Sequence, residues 1–181
     1  MNKIYKLATI LFLALSLVNC SNDDDAPSGT LFVNNENFII GTNVAPSALH
    51  NNTTFMPGGT DAEDYNTRGF FITNGDATTE ANAKVVSVII RYPTGQASIN
   101  GTYGIVDINE ANPGAFVACS FSDSTGEFGG DPDTTTGTIT VTDNGNNNFK
   151  LVFNNIVLKD IEGGTATKTI TGYCQTGFYS F

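Results

Sequence analysis

Gly137-Thr138-Ile139-Thr140-Val141-Thr142-Asp143-Asn144-Gly145-Asn146, followed by Asn147-Asn148-Phe149-Lys150-Leu151-Val152-Phe153, is the stretch on which the fold turns. Ile139 and Val141 alternate with Thr138, Thr140 and Thr142, the period of two expected of a half-buried strand with its threonines outward. Asp143-Asn144-Gly145-Asn146 predicts a tight turn, because Asn-Gly supplies the positive φ angles of a type I′ hairpin. The return strand starts at Asn148 and reaches about Asn155, with Phe149, Leu151 and Phe153 on one face. Ile156, Val157 and Leu158 continue the apolar run, a bulge being one way to join it on.

The same pattern extends in both directions. Upstream, residues 84–92 place Val86, Val88, Ile90 and Tyr92 on one face, and Val85, Ser87, Ile89 and Arg91 on the other. Residues 101–108 follow the turn-forming Pro93-Thr94-Gly95, and residues 115–121 align Val117, Cys119 and Phe121. Residues 30–40 hold two apolar triplets separated by Asn34-Asn35, a hairpin turn or a bulge. Residues 69–73 form a further short run. Residues 44–65, with Pro46, Pro57 and Gly58-Gly59, read as a long irregular loop. Downstream, Glu162-Gly163-Gly164 turns the chain into a last strand over residues 166–181, where Ile170 and Cys174 share a face and Thr169, Thr171 and Tyr173 share the other.

Thirteen Phe, no Trp, abundant Gly and few strong helix formers agree with short strands and tight turns. The expected fold class is all-β: a single antiparallel β-sandwich, or a small partly open barrel, of about 8–10 short strands. No segment after residue 20 has helical periodicity, and no fixed-period repeat suggests a solenoid.

The first 29 residues are of another kind. Lys3 and Lys6 precede an apolar run, residues 7–18, of about a dozen residues, too short to span a bilayer and right for a signal peptide. Leu17-Val18-Asn19-Cys20 closes it and reads as a bacterial lipoprotein processing site, with Cys20 acylated in the mature chain. The domain plan is therefore residues 1–19 as signal peptide, 20–29 as lipidated cysteine and acidic flexible tether, and 30–181 as the folded domain. Removing residues 1–19 takes away Lys3 and Lys6 and no acid, so the formal charge moves from −10 to −12. That balance argues against nucleic acid and against a polybasic contact with anionic lipid.

Cys119 and Cys174 remain as an even pair in an extracytoplasmic chain, which suggests one disulfide; two buried reduced thiols are the alternative.

Residues 17–25 resemble the signals of surface-exposed lipoproteins of the Bacteroidota. There, a serine and acidic residues after the lipidated cysteine direct export to the outer leaflet. Ser21 and Asp23, Asp24 and Asp25 match in kind; Asn22 interrupts the acidic run, and Asn19 stands where a small residue is usual. The remaining chain resembles the small β-sandwich lipoproteins of that phylum in Gly101-Thr102-Tyr103, in residues 137–142 and in Lys168-Thr169-Ile170-Thr171-Gly172-Tyr173. The resemblance implies an outer-membrane, cell-surface location and a membrane partnership through the lipid. Asp123-Ser124-Thr125 and Asp133-Thr134-Thr135 also resemble the phylum's O-glycosylation motif.

Catalytic signals are sparse. His50 is the one histidine, no serine sits in a G-x-S-x-G elbow, and the chain is expected not to be an enzyme. Paired carboxylates for a small hydrolase would have to come from Asp61, Glu63, Asp64, Asp107, Glu110 or Glu127, all in apparent loops. No cofactor is expected. Calcium is the best inorganic candidate, with Asp61/Glu63/Asp64 and Asp131/Asp133 as its clusters. Tyr173, Tyr179 and Phe181 share one strand face if no bulge intervenes and are the candidate ligand platform. The function expected is a non-enzymatic surface module binding a glycan, protein or matrix component through loops at one end. An accessory subunit of an envelope assembly, pairing through an exposed strand edge, is the alternative.

Overall fold

The computed structural model describes residues 28–40, 48–51, 56–57, 64–74, 83–105, 116–130 and 136–180. Thirteen strands follow in chain order: β1 (Ser28–Val33), β2 (Glu36–Phe38), β3 (Ala48–Asn51), β4 (Met56–Pro57), β5 (Asp64–Thr73), β6 (Val85–Pro93), β7 (Gly101–Gly104), β8 (Phe116–Asp123), β9 (Gly126–Gly129), β10 (Thr138–Asp143), β11 (Asn148–Asp160), β12 (Thr167–Gly177) and β13 (Tyr179–Ser180). No helix occurs among the described residues. Ten strands form one path, β13-β3-β5-β6-β8-β9-β11-β12-β1-β2, with β4 on β5 and with β10 linking β7 to β11. Strand pairing is antiparallel except between β13 and β3.

The sheet curls into a half-barrel, the partly open form of the expected all-β fold. Three observations carry the curl. Only Phe178 separates β12 from β13, yet β13 pairs with β3 far along the strand order, so two residue steps must bridge the gap. Ile40, just past β2, bridges to Asn74, just past β5. Inside, Phe70 of β5 meets Phe149 of β11 edge-to-face at 5.2 Å, although β6, β8 and β9 lie between their strands in the sheet. Phe178 completes the group at 5.1 Å from Phe70 and 6.0 Å from Phe149.

Alternation explains which side chains fill the interior. Val86, Val88 and Ile90 of β6 are fully buried, as are Ile139 of β10 and Leu151 of β11. Each fully buried side chain of this kind contributes roughly 1.5–3 kcal/mol. The threonines of β10 face outward as expected, and Thr140 hydrogen-bonds Thr102 of β7 at 2.9 Å. Tyr103, on the opposite face of β7, is 6 % exposed and donates its hydroxyl to the Ile99 carbonyl at 2.7 Å, closing the connection from β6.

Turn chemistry sets the hairpins. Asn34 and Asn35, with φ of 51° and 65°, connect Val33 to its partner Glu36 as a two-residue loop. Positive φ at both central residues is the type I′ condition. The β10–β11 turn is longer than the two-residue hairpin expected: residues 144–147 connect the strands, and Asn146 (φ 52°) and Asn147 (φ 61°) take the type I′ positions. Asn148 N–H closes that turn on the Gly145 carbonyl at 2.8 Å. The bulge in β11 is present, with the register shifting between Phe153 and Ile156 and Asn155 at φ 53°.

Three expectations are corrected. Residues 44–65 are not all loop, because β3, β4 and the start of β5 lie there. These two- to four-residue strands are held by pairing to β5 and have no pattern of their own. The last strand does not run unbroken from 166 to 181: it breaks at Phe178, whose ring is drawn into the core, and resumes as β13 on another strand. Cys119 and Cys174 form no disulfide. Both are free, at 4 % and 0 % exposure. Both point inward, but β9 and β11 stand between their strands in the sheet, and inward orientation alone does not bring Cα atoms within the ~7 Å a disulfide needs.

Burial pushes both thiols up to about 12, where the nucleophilic thiolate is scarce. Native protein should therefore resist alkylation at these two positions, and denaturant should open both together. Peptide mapping after iodoacetamide checks this; rapid native labelling of Cys174 would contradict it.

Candidate functional site

Four connections meet at one end of the half-barrel: the β1–β2 turn, the β8–β9 turn, the β11–β12 turn and the approach to β6. Between them lies a pocket of about 110 Å³, lined by Val33, Asn34, Glu36, Asn37, Phe38, Lys84, Phe121, Asp123 and Lys168. Val33, Phe38 and Phe121, buried at 9 %, 4 % and 1 % exposure, form an apolar floor, and the polar side chains stand around it.

Each polar group has a local reason for its place. Asp123 ends β8, and its Oδ1 accepts the Thr125 backbone N–H at 2.8 Å and the Thr125 hydroxyl, an Asx turn across a two-residue loop. Its Oδ2 receives Lys168 Nζ at 3.0 Å. Lys168 also reaches Thr125 Oγ1 at 3.3 Å and stands 4.8 Å from the centroid of the Phe128 ring and 5.5 Å from that of Phe121. Asn34 is anchored at both ends: its N–H donates to the Thr169 carbonyl at 2.8 Å, and its Oδ1 accepts the Thr169 N–H at 2.7 Å. Lys84 is fixed through its backbone, donating to Asn74 Oδ1 at 2.8 Å and accepting from Asn74 N–H at 3.1 Å. Asn74 thus joins the edge at Ile40 to the start of β6 and places Lys84 at the pocket.

Partial burial raises the Asp123 pKa, but the Thr125 and Lys168 hydrogen bonds and the lysine charge outweigh it, so the net shift is downward. Asp123 contributes stability above its unfolded pKa of about 4, and that stability is lost as the pH falls through the lower folded value. Lys168→Met should remove about 1–2 kcal/mol, less than a sealed ion pair because the pocket admits water. It should also move acid unfolding to higher pH, which circular dichroism during an acid titration would read.

The pocket is not among the sites expected from sequence. Its Asp123–Lys168 pair joins residues 45 apart, and no local motif marks it. The one local signal was Asp123-Ser124-Thr125, which here forms the exposed β8–β9 turn with Asp123 tied to Lys168. β9 itself was unexpected, though Phe128 opposite Phe121 is its apolar mark.

The expected platform is not assembled on one strand. Tyr173 lies on the outer face of β12, 36 % exposed, with Lys150 Nζ at 4.8 Å from its ring centroid. Tyr179 belongs to β13, and Phe181 lies outside the described residues. Of the expected calcium ligands, Asp64 opens β5, while Asp61, Glu63, Asp131 and Asp133 lie outside the described residues, as do Cys20, Ser21, Asp23, Asp24 and Asp25. Among the described residues, no three His, Cys, Asp or Glu side chains cluster to hold a metal. His50 lies in β3 opposite Phe70, and Glu127 lies in β9; Asp107 and Glu110 lie outside the described residues.

No protein-family model, curated protein or solved structure matches this chain.

Proposed function

We propose that this protein is a lipid-anchored surface module of the bacterial outer membrane that binds an extracellular ligand without chemical turnover. The anchor part rests on residues 3–25: a basic start, a short apolar run, Cys20, and the Ser21 and Asp23–Asp25 signal that resembles surface lipoproteins. The binding part rests on one observation, the polar pocket lined from the β1–β2 hairpin, the approach to β6, the end of β8 and the start of β12, at one end of a rigid β framework. Loops on such a framework can present contact groups without disturbing the core.

Two measurements test the two parts separately. Metabolic labelling with a clickable fatty acid should mark the wild-type protein and not Cys20→Ala, and only the wild type should fractionate with outer membranes. Labelling of Cys20→Ala at wild-type level would refute the anchor. Screening purified protein against soluble glycans and matrix proteins by amide shift mapping should move residues of the pocket end.

The accessory-subunit reading is favoured by a different feature. Next to β2, the last strand in the described order, Ile39 is 69 % exposed, an apolar side chain that a partner laid along that edge would cover.

A further inference from the structure

We infer that the pocket between the β1–β2 and β8–β9 turns is a site for a sugar acid, a single carboxylate-bearing saccharide unit whose carboxylate is received by Lys84. The inference deepens the binding-module reading and rests on it. It begins with charge. Beyond the signal segment the chain holds six basic residues against 18 acidic ones, and two of the six, Lys84 and Lys168, line this one small pocket. Glu36 and Asp123 line it as well, so its four charges balance, and on so acidic a surface a concavity without net negative charge is a local exception that an anion can approach.

The two lysines are not equivalent. Lys168 is committed to Asp123, to Thr125 and to the faces of two phenylalanines. Among the described residues Lys84 is held through its backbone, by Asn74, and its ammonium makes no ion pair. Among the described residues nothing takes up its three donors, and a carboxylate is the anion whose charge one ammonium balances.

The other groups select what carries the carboxylate. Asn37 and Glu36 offer a neutral amide and an acceptor-only carboxylate, the mixture that hydroxyl groups satisfy as both donors and acceptors. Glu36, a further carboxylate of the lining, repels a ligand with several negative charges, such as a phosphate ester, more than one with a single charge. Size sets the last limit. About 110 Å³ is well under the roughly 300–1,000 Å³ of pockets that engulf a whole drug-sized ligand, so one saccharide unit enters and the rest of a chain stays outside.

The test is amide shift mapping on the full chain in detergent, titrated with galacturonate, galactose and acetate in parallel. Galacturonate is expected to shift Asn34, Asn37, Lys84 and Lys168, with galactose and acetate each at least about tenfold weaker. Lys84→Met should abolish the galacturonate shifts while leaving the melting temperature within about a degree or two, because the Asn74 contacts are to the Lys84 backbone. Lys84→Arg should keep them. Equal binding by Lys84→Met, equal affinity for galactose, or no pocket shift with galacturonate would each overturn the assignment. Pocket silence combined with glycan shifts elsewhere, as at Tyr173, would overturn it while leaving the surface-binding reading standing.

Discussion

Phe149→Ala is expected to lower the unfolding free energy by about 3–5 kcal/mol, a large part of the roughly 5–15 kcal/mol that holds a typical domain folded. Phe149 is 1 % exposed and is the first inward residue after the β10–β11 turn. Its ring packs edge-to-face with Phe70 at 5.2 Å and with Phe178 at 6.0 Å, and the Arg68 guanidinium lies 4.8 Å from its centroid. Each aromatic pair adds roughly 0.5–1.5 kcal/mol beyond the area it buries. Removal thus opens a cavity at the place where distant parts of the curled sheet touch, and the flanking strands, hydrogen-bonded on both sides, cannot collapse into it. Denaturant titration should show the midpoint falling with a nearly unchanged slope. Phe149→Leu should recover more than half of the loss, since it restores most of the volume without the ring contacts. A loss below about 1 kcal/mol for the alanine variant would mean that the three-ring cluster does not hold the curl.

Gly172→Ala should cost about 3 kcal/mol or more, for a reason of backbone rather than packing. Gly172 sits in the middle of β12 with φ at 99°, paired to Leu31 on one side and Phe153 on the other. A non-glycine residue at such a φ costs roughly 1–3 kcal/mol in itself. A Cβ there would in addition fall on the Thr30 carbonyl oxygen, so β1 and β12 would have to separate. For a domain of this size, the melting temperature should drop by about 6–12 °C. Gly95→Ala is the control, because a Cβ at Gly95 meets nothing within 4 Å and no positive φ is required there. Equal melting temperatures for the two variants would refute the argument.

How much could be read from the sequence depends on the range of the interaction. The alternation in β6 and β10 was legible because a strand with one face in the core must repeat every second residue. Asn34-Asn35 was legible as a hairpin turn or a bulge because asparagine tolerates positive φ, and the pairing of Val33 with Glu36 makes it the hairpin. The β10–β11 turn was legible in kind, while its position was set by which asparagines could close on Gly145. β3 and β4 were not legible, since so few residues carry no period and gain their order from β5. Cysteine parity likewise says nothing of distance, and the two thiols proved to lie on strands with two others between them.

By itself, then, the sequence determined the all-β class, the inward faces of the long strands and the turn chemistry, because each follows from residues within a few positions of one another. Tertiary structure alone decided that the sheet curls into a half-barrel, that Phe178 breaks the final strand, and that Asn34, Lys84, Asp123 and Lys168 line one pocket. Those outcomes depend on strand order and curvature, which bring together groups from separate turns. No local pattern of side chains encodes that meeting.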